Sequence, residues 1–306
     1  MNPSRFTLGG LGTRLVVWVP YAWLVVFFLV PFLIVLKISL SQTAIALPPY
    51  VPVLDLAAGW DGIKGFLASL GLDNYTTLFS DEIYGLSYLK SLTIAAVSTA
   101  ILLVIGYPLA YGMARAPRRA QLVLVMLVIL PFWTSFLIRV YAWINILQSD
   151  GLLNRVLLAL HIVDAPVVWL ASDTAIYIGI VYSYLPFMVL PLYATLEKMD
   201  FTLLEAAADL GAPPATAFWR ITVPLSLPGV GAGALLCFIP ITGEFVIPDL
   251  LGGSDSLMIG QTLWTEFFSN KDWPVASAIA VVLLFLLVGP IMVYQHLQVK
   301  NVEAGG

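Results

Sequence analysis

Six stretches of this chain are each long and apolar enough to cross a lipid bilayer as one helix. A bilayer core about 30 Å thick needs roughly 20 mostly apolar residues per helix. Each stretch contains at most one charged residue, and the stretches cover about 15–38, 89–113, 121–138, 174–194, 228–248 and 275–295. Because a backbone exposed to lipid must satisfy its hydrogen bonds internally, the sequence predicts an all-α integral membrane protein with six transmembrane helices. We expect residues 1–306 to form a single transmembrane domain.

The composition agrees with this fold class and excludes several kinds of site. Hydrophobic residues make up 60% of the chain and charged residues 10%, whereas a soluble domain has roughly 25% charged residues. The formal net charge of -4 gives no reason to expect a nucleic-acid partner. The single cysteine, Cys237, cannot form an internal disulfide, and His161 and His296 lie far apart without ligand-spaced neighbours. We therefore expect no metal site.

One further stretch, 152–170, is long enough to span the membrane but carries Arg155, His161 and Asp164. An arginine or aspartate near the centre of a membrane helix costs about 2.5 to 3.5 kcal/mol. We therefore expect this stretch to lie on the surface or to pack against protein. The first apolar run is longer than the core of a signal peptide and has no A-x-A-like cleavage site after it, so we expect it to remain as the first span.

The distribution of basic residues predicts the orientation, because short cytoplasmic loops are enriched in lysine and arginine. Arg115, Arg118 and Arg119 lie between the second and third spans, and Arg5 and Arg14 lie in the N-terminal tail. Both termini should therefore face the cytoplasm. The connection 198–227 then lies on the cytoplasmic side. The connections 39–88, which is the first outer loop, 139–173 and 249–274 lie outside.

The inner segment 198–227 reads as two short helices joined by a tight turn. Thr202 and Glu205 have the spacing of a capping box, and Gly211 is placed to end the first helix. Pro214 suits the first turn of a second helix, which Pro224 should stop. From physical chemistry alone, such a segment could simply be an amphipathic loop resting on the membrane or on its own bundle.

The spacing of this segment resembles the signature loop of bacterial binding-protein-dependent ABC importer permeases. Ala207 is followed four residues later by Gly211, and the match continues through Val223, where the family usually has leucine. The resemblance implies a type I ABC importer permease fold in which 198–227 is a coupling loop that docks on a cytoplasmic ATPase. The residues that carry this match are Glu205, Ala206, Ala207, Gly211, Ile221 and Pro224.

Other stretches resemble the polyamine branch of these permeases, with putrescine permeases as the best match. The resemblance implies an inner-membrane subunit with four kinds of partner: a second homologous permease, two cytoplasmic ATPase subunits, a periplasmic polyamine-binding protein and the lipid bilayer. It implies no cofactor on this chain, since ATP and Mg would be bound by the ATPase, and the chain itself lacks the G-x-x-x-x-G-K-[ST] phosphate loop. We therefore expect a non-catalytic subunit. The matching stretches are 72–75, 130–141, 185–193, 243–253, 264–268 and 272–274.

Four residues are candidates for the substrate pathway. Glu244 lies 16 residues beyond Pro228, roughly 24 Å along a continuous helix, and a carboxylate there is costly unless it faces water or a cation. Asp249 could extend an acidic path. Trp133 and Tyr141 could offer aromatic faces, which attract ammonium groups by about 0.5 to 2 kcal/mol. The alternatives are an ion pair for Glu244, a solvated loop end for Asp249, and an interfacial belt or core position for the two aromatic residues.

The function we predict is a permease subunit of an ATP-driven importer for polyamines, with putrescine preferred. Closure of the ATPase pair would pull residues 200–225 and rock the bundle between inward-open and outward-open states. The alternatives are a permease for spermidine or another organic cation, a secondary transporter working without an ATPase, and a membrane scaffold or receptor.

Overall fold

The computed structural model describes residues 10–53, 59–253 and 255–304 and is almost entirely helical. Within these ranges, five helices are long and apolar enough to cross a membrane: Trp18–Ser39, Glu82–Arg115, Asp173–Leu196, Pro214–Thr242 and Trp273–His296. A sixth span results if the bent pair Arg118–Trp133 and Phe136–Ala159 is one crossing. The predicted all-α membrane fold is confirmed.

The helices are α1 (Gly10–Leu24), α2 (Val30–Ser39), α3 (Gly59–Ala68), α4 (Asp73–Ser80), α5 (Glu82–Arg115), α6 (Arg118–Ile129), α7 (Phe136–Leu147), α8 (Leu152–Ala159), α9 (Asp173–Leu196), α10 (Thr202–Asp209), α11 (Pro214–Ala217), α12 (Val223–Thr242), α13 (Val246–Leu251), α14 (Ile259–Trp264) and α15 (Trp273–Ala304). Wide π-helical turns occupy Val25–Leu29, Phe218–Thr222 and Thr265–Ser269, and a 3-10 turn occupies Leu130–Trp133. Two short antiparallel strands, β1 (Gln42–Thr43) and β2 (Tyr50–Val51), form a hairpin in which Gln42 pairs with Val51.

The chain divides into two compact units, of which the first comprises 1–81 and 265–282. The first span of the chain ends at Ser39, where side chains from the stretch after Leu72 form hydrogen bonds with it. Asn74 Nδ2 donates to the backbone oxygens of Ser39 and Ser41 at 2.8 and 2.7 Å, and the Tyr75 hydroxyl lies 2.7 Å from Ser39 Oγ. Residues 72–75 therefore cap the end of the first span. This is one of the stretches that resemble polyamine permeases.

The second unit comprises 82–264 and 283–306, and its core is formed by α5, α9 and α12. Glycines allow these three helices to approach closely. A side chain at Gly106 or Gly233 would come within 2.9 Å of Met188, which is itself fully buried. Small residues at helix contacts are the common way for membrane helices to pack, because lipid supplies no hydrophobic force between them.

The third predicted span, 121–138, is wrong in its continuity. The helix is interrupted after Trp133, and the two halves meet at 88°. Thr134 and Ser135 have extended or polyproline-like ψ angles of 152° and 136°, and Thr134 Oγ1 donates to the oxygen of Pro131 at 2.8 Å. Proline weakens the helical hydrogen-bond ladder here, and the threonine hydroxyl offers the backbone an alternative partner.

The fifth predicted span, 228–248, is wrong in its outer end, because the helix that contains it begins at Pro214 and ends at Thr242. Pro214 opens it as predicted, but Pro224 does not stop it. The amide of Val223 donates to the oxygen of Phe218, five residues back, in the π-helical turn. Pro224 follows directly after this wide turn, where the regular α-helical ladder is already interrupted, so its missing amide is tolerated.

The stretch 152–170 forms only the eight-residue helix α8 and an irregular segment. Asn154, fully buried, organises this region. Its Nδ2 donates to the oxygens of Gln148, Ser149 and Val167, and its Oδ1 accepts from the Val167 amide and the Trp169 indole. One side chain thus replaces the regular secondary structure that would otherwise satisfy these backbone groups.

Candidate functional site

A cavity of about 670 Å³ lies in the second unit, between α7, α9, α12 and the 3-10 turn. Its volume is in the range of small-molecule sites, which is roughly 300 to 1,000 Å³. Most of the lining is aromatic or aliphatic, and a few polar groups converge on it. The lining residues are Phe132, Phe136, Arg139, Ser183, Tyr184, Phe187, Leu235, Leu236, Ile239, Pro240 and Glu244.

Glu244 lies in the break between α12 and α13, so the predicted position on a continuous helix is wrong. Only 8% of its surface is exposed. Oε1 accepts from the amides of Phe245 and Val246 at 3.2 and 3.0 Å, and Oε2 accepts from the Tyr184 hydroxyl at 2.5 Å. Within the described part of the chain no cation pairs with this carboxylate, so it is held by amide and hydroxyl donors rather than by an ion pair.

Arg139, in the first turns of α7, is the second charged group of the cavity, and only 9% of its surface is exposed. Its guanidinium carbon lies 5.1 Å from the ring centre of Phe132 and 5.7 Å from that of Phe136. Among the described residues, nothing accepts a hydrogen bond from its Nε or Nη1. A buried donor without a partner costs about 1 to 3 kcal/mol.

Sequence reasoning missed Arg139, although a signal was present. A charged residue within an apolar membrane segment is a functional candidate by default, and Arg139 follows Phe136 at the i, i+3 spacing that places two side chains on one helix face. What the spacing could not give was the contact with Phe132, which depends on the 88° bend between the two residues.

The other three predicted pathway residues lie outside this cavity. Trp133 and Tyr141 expose 75% and 53% of their surfaces, and Asp249 is exposed with its Oδ1 accepting from Gln261 Nε2 at 3.2 Å. Of the four candidates, the structure brings only Glu244 into the cavity. The role of the other three in the pathway stays a prediction.

The first helix of the predicted coupling loop ends as expected at Gly211, whose φ is +79°. The amide of Ala212 donates to the oxygen of Ala207, and the amide of Gly211 donates to that of Ala208, both at 2.9 Å. These are the two hydrogen bonds of a Schellman motif with glycine in the left-handed position. The predicted C-cap is confirmed.

The predicted capping box at the start of α10 is wrong. Thr202 donates both its amide and its hydroxyl to Asp200 Oδ1, at 3.0 and 2.8 Å, so Asp200 is the capping group. An ionised carboxylate two residues before the helix is a stronger acceptor than a threonine hydroxyl. These hydrogen bonds hold the pKa of Asp200 below its ordinary value. Glu205, which the capping box would have used, is exposed.

The segment from α10 through the π-helical turn Phe218–Thr222 packs on α5 through Phe218 and leaves other side chains exposed. The ring of Phe218 meets those of Tyr107 and Tyr111 edge-on, each at 5.6 Å. In contrast, Leu210 exposes 89% of its surface, and Trp219 is also exposed. Among the residues of the family motif, Ala207 and Ile221 are half-buried, whereas Glu205, Ala206, Gly211 and Pro224 are exposed.

Comparison with known proteins identifies the family. The profile of the family described as "Binding-protein-dependent transport system inner membrane component" matches residues 103–298. The chain is 38% identical over 281 residues to the "Spermidine/putrescine transport system permease protein PotB" of Haemophilus influenzae, covering 92% of each protein. It is 43% identical over 223 residues to PotB of Escherichia coli, covering 73% of this chain and 81% of the relative.

The fold agrees with that of solved ABC importers. A chain of the bacterial ABC transporter "involved in the import of the acidic polysaccharide alginate" superimposes with a TM-score of 0.66 at 16% identity, covering 92% of this chain and 96% of that chain. A chain of the MetNI methionine ABC transporter gives 0.52 at 18% identity, covering 69% and 92%. This chain is therefore a multi-pass membrane protein that belongs to the family of binding-protein-dependent transport system inner membrane components.

Proposed function

We propose that this chain is the permease subunit of an ATP-driven importer for polyamines, putrescine among them, and that it forms half of the translocation pathway. The similarity to spermidine/putrescine permeases over 92% of the chain supports this substrate class. The complex would contain a second homologous permease, two cytoplasmic ATPase subunits and a periplasmic binding protein. Both termini would face the cytoplasm.

The proposed contact with the ATPase is the exposed side of the segment that runs from α10 through the π-helical turn Phe218–Thr222. Leu203, Leu210 and Trp219 present apolar surface there, while Phe218 anchors the segment to α5. An apolar surface rimmed by polar groups is typical of a protein interaction site. ATP-driven closure of the ATPase pair would then move this segment and, through it, the bundle.

The observation that carries the cation assignment is the buried carboxylate of Glu244 at an aromatic cavity. Phenyl rings and a carboxylate are the groups that bind organic ammonium ions, through the ring quadrupole and through charge. Trp133, Tyr141 and Asp249 are exposed, so they would meet substrate on a surface shared with the second permease.

The test is Glu244→Gln in the complete complex, reconstituted with its ATPase and binding protein. Removal of the charge should lower the polyamine-dependent uptake and ATP hydrolysis about tenfold, which corresponds to roughly 1.4 kcal/mol of lost cation binding. Asp164→Asn, the same chemical change at an exposed position outside the cavity, should leave both rates unchanged. Unchanged polyamine dependence in Glu244→Gln would remove this residue from the pathway.

The substrate and the class of transporter are tested in the same vesicles. Labelled putrescine and spermidine should compete for uptake with each other, and uptake should require ATP. Uptake that continues without ATP, or a purified chain that carries no ATPase subunit with it, would contradict the proposal and favour a secondary transporter.

A further inference from the structure

We infer that Arg139 is a tethered competitor for the ammonium group of the substrate. Its guanidinium occupies the aromatic wall of the cavity, so substrate binds there only after Arg139 has left. The inference rests on the proposed function, and it assigns to Arg139 the task of releasing substrate from the site that Glu244 helps to form.

The geometry supports occupation of an ammonium site by the arginine itself. Arg139 lies within 5.1 and 5.7 Å of the centres of Phe132 and Phe136, the distance at which a cation interacts with an aromatic face. These two rings line the same cavity as Glu244. A substrate ammonium group drawn to the carboxylate would therefore find the nearby ring faces already taken by a positive charge.

The missing hydrogen bonds of Arg139 support a side chain that can leave this position. Structural arginines in protein interiors normally donate to carboxylates, backbone oxygens or water, because unpaired buried donors are costly. Here Nε and Nη1 are buried, and within the described residues neither has an acceptor. The side chain is thus held mainly by ring contacts, which leaves it free to exchange places with another cation.

The bend in the third span offers the movement that such an exchange needs. Phe132 lies before the break at Thr134 and Ser135, whereas Phe136 and Arg139 lie after it on α7. A change of the 88° angle would carry Arg139 away from Phe132 while the ring itself stays in the cavity. The cavity would change from a site with both charges into one with a carboxylate and a free ring face on Phe132.

The test measures equilibrium binding of labelled spermidine to the assembled complex, without nucleotide and without the binding protein. Arg139→Met keeps the length of the side chain, removes the charge and leaves no unpaired donor in the apolar wall. Arg139→Gln is the polar alternative should the methionine variant not assemble. We expect either neutral variant to bind spermidine about tenfold more tightly than the wild type and to turn over more slowly, because release is impaired.

Arg139→Lys, which keeps a cation, should bind spermidine as weakly as the wild type. The gain in affinity should disappear when Arg139→Met is combined with Glu244→Gln, since the carboxylate is what binds the ammonium group once the arginine is gone.

A neutral variant that assembles and binds no more tightly than the wild type overturns the inference, even if uptake falls. Failure of the proposed function would look different, because wild-type vesicles would then take up no polyamine at all. Wild-type uptake is therefore measured in the same preparation.

Discussion

Gly211 is a glycine because of its backbone conformation and not because of lack of space. Its φ of +79° lies in the left-handed region, and a side chain there would meet nothing within 4 Å. The residue ends α10 and turns the chain toward Pro214, so it sets the direction between the two short helices of the proposed ATPase contact.

The contrast between Gly211→Val and Gly211→Asn tests this conformational role. A left-handed conformation costs an ordinary residue roughly 1 to 2 kcal/mol, whereas asparagine tolerates it better. We expect Gly211→Val to lower the amount of polyamine transported per ATP hydrolysed, and Gly211→Asn to preserve that ratio. The ratio is measured in vesicles that contain the whole complex. Equal ratios for the two variants would show that the backbone conformation is unimportant.

At this scale, local features could be predicted from the sequence and long-range contacts could not. Gly211 was predictable because a C-cap depends on the residues beside it. The cap at Asp200 was missed because two local patterns competed and the ionised acceptor won. The partners of Glu244 and Arg139 could not be predicted from the sequence. Tyr184 meets Glu244 only through helix packing, and Phe132 meets Arg139 only through the bend after Trp133.

The contact between α9 and α12 depends on the absence of a side chain at Gly233. A Cβ there would lie 2.9 Å from Met188 Sδ and 3.1 Å from the backbone oxygen of Met188, and a backbone atom cannot yield as the end of a side chain can. Gly112 in α5 has nothing within 4 Å and provides a matched position.

We expect Gly233→Ala to lower the free energy of unfolding by about 1 to 3 kcal/mol through overpacking, reduced in part by the better helix propensity of alanine. Gly112→Ala gains only the propensity term, so it should be neutral or stabilising by up to about 1 kcal/mol. Thermal unfolding of the purified complex in detergent measures both. A Gly233→Ala variant as stable as Gly112→Ala would contradict the close packing.

The existence of the spans was predictable, but their continuity was not. Hydropathy averages over a window and gives the same value for a straight helix and for one interrupted at Thr134. It also cannot detect that a π-helical turn carries the chain past Pro224. Two of these errors affected the site: the missed helix end at Thr242 misplaced Glu244, and the missed break at Thr134 concealed the bend that brings Arg139 to Phe132.

The orientation of the whole molecule stays a prediction, and its single cysteine makes it easy to test. Cys237 is buried, so Cys237→Ala gives a background without reactive thiols. Leu210 and Ile45 are both strongly exposed and lie on segments predicted to face opposite sides. In cells that lack the ATPase subunits, with a maleimide that cannot cross the membrane, Ile45→Cys should react in intact spheroplasts and Leu210→Cys only after permeabilisation. Reaction of both residues from one side would contradict the predicted topology.

The helix from Pro214 to Thr242 is continuous over 29 residues and roughly 43 Å long. One end carries the proposed ATPase contact, and the other ends two residues before Glu244. A helix of this length can transmit rotation about its axis as well as displacement along it. Each residue of an α-helix corresponds to a rotation of about 100° around the helix axis. The extra residue of the turn Phe218–Thr222 therefore changes the angular position of the side chains at one end of the helix relative to those at the other. We therefore expect this wide turn to determine which face of the helix lies at the cavity for a given orientation of the short helices.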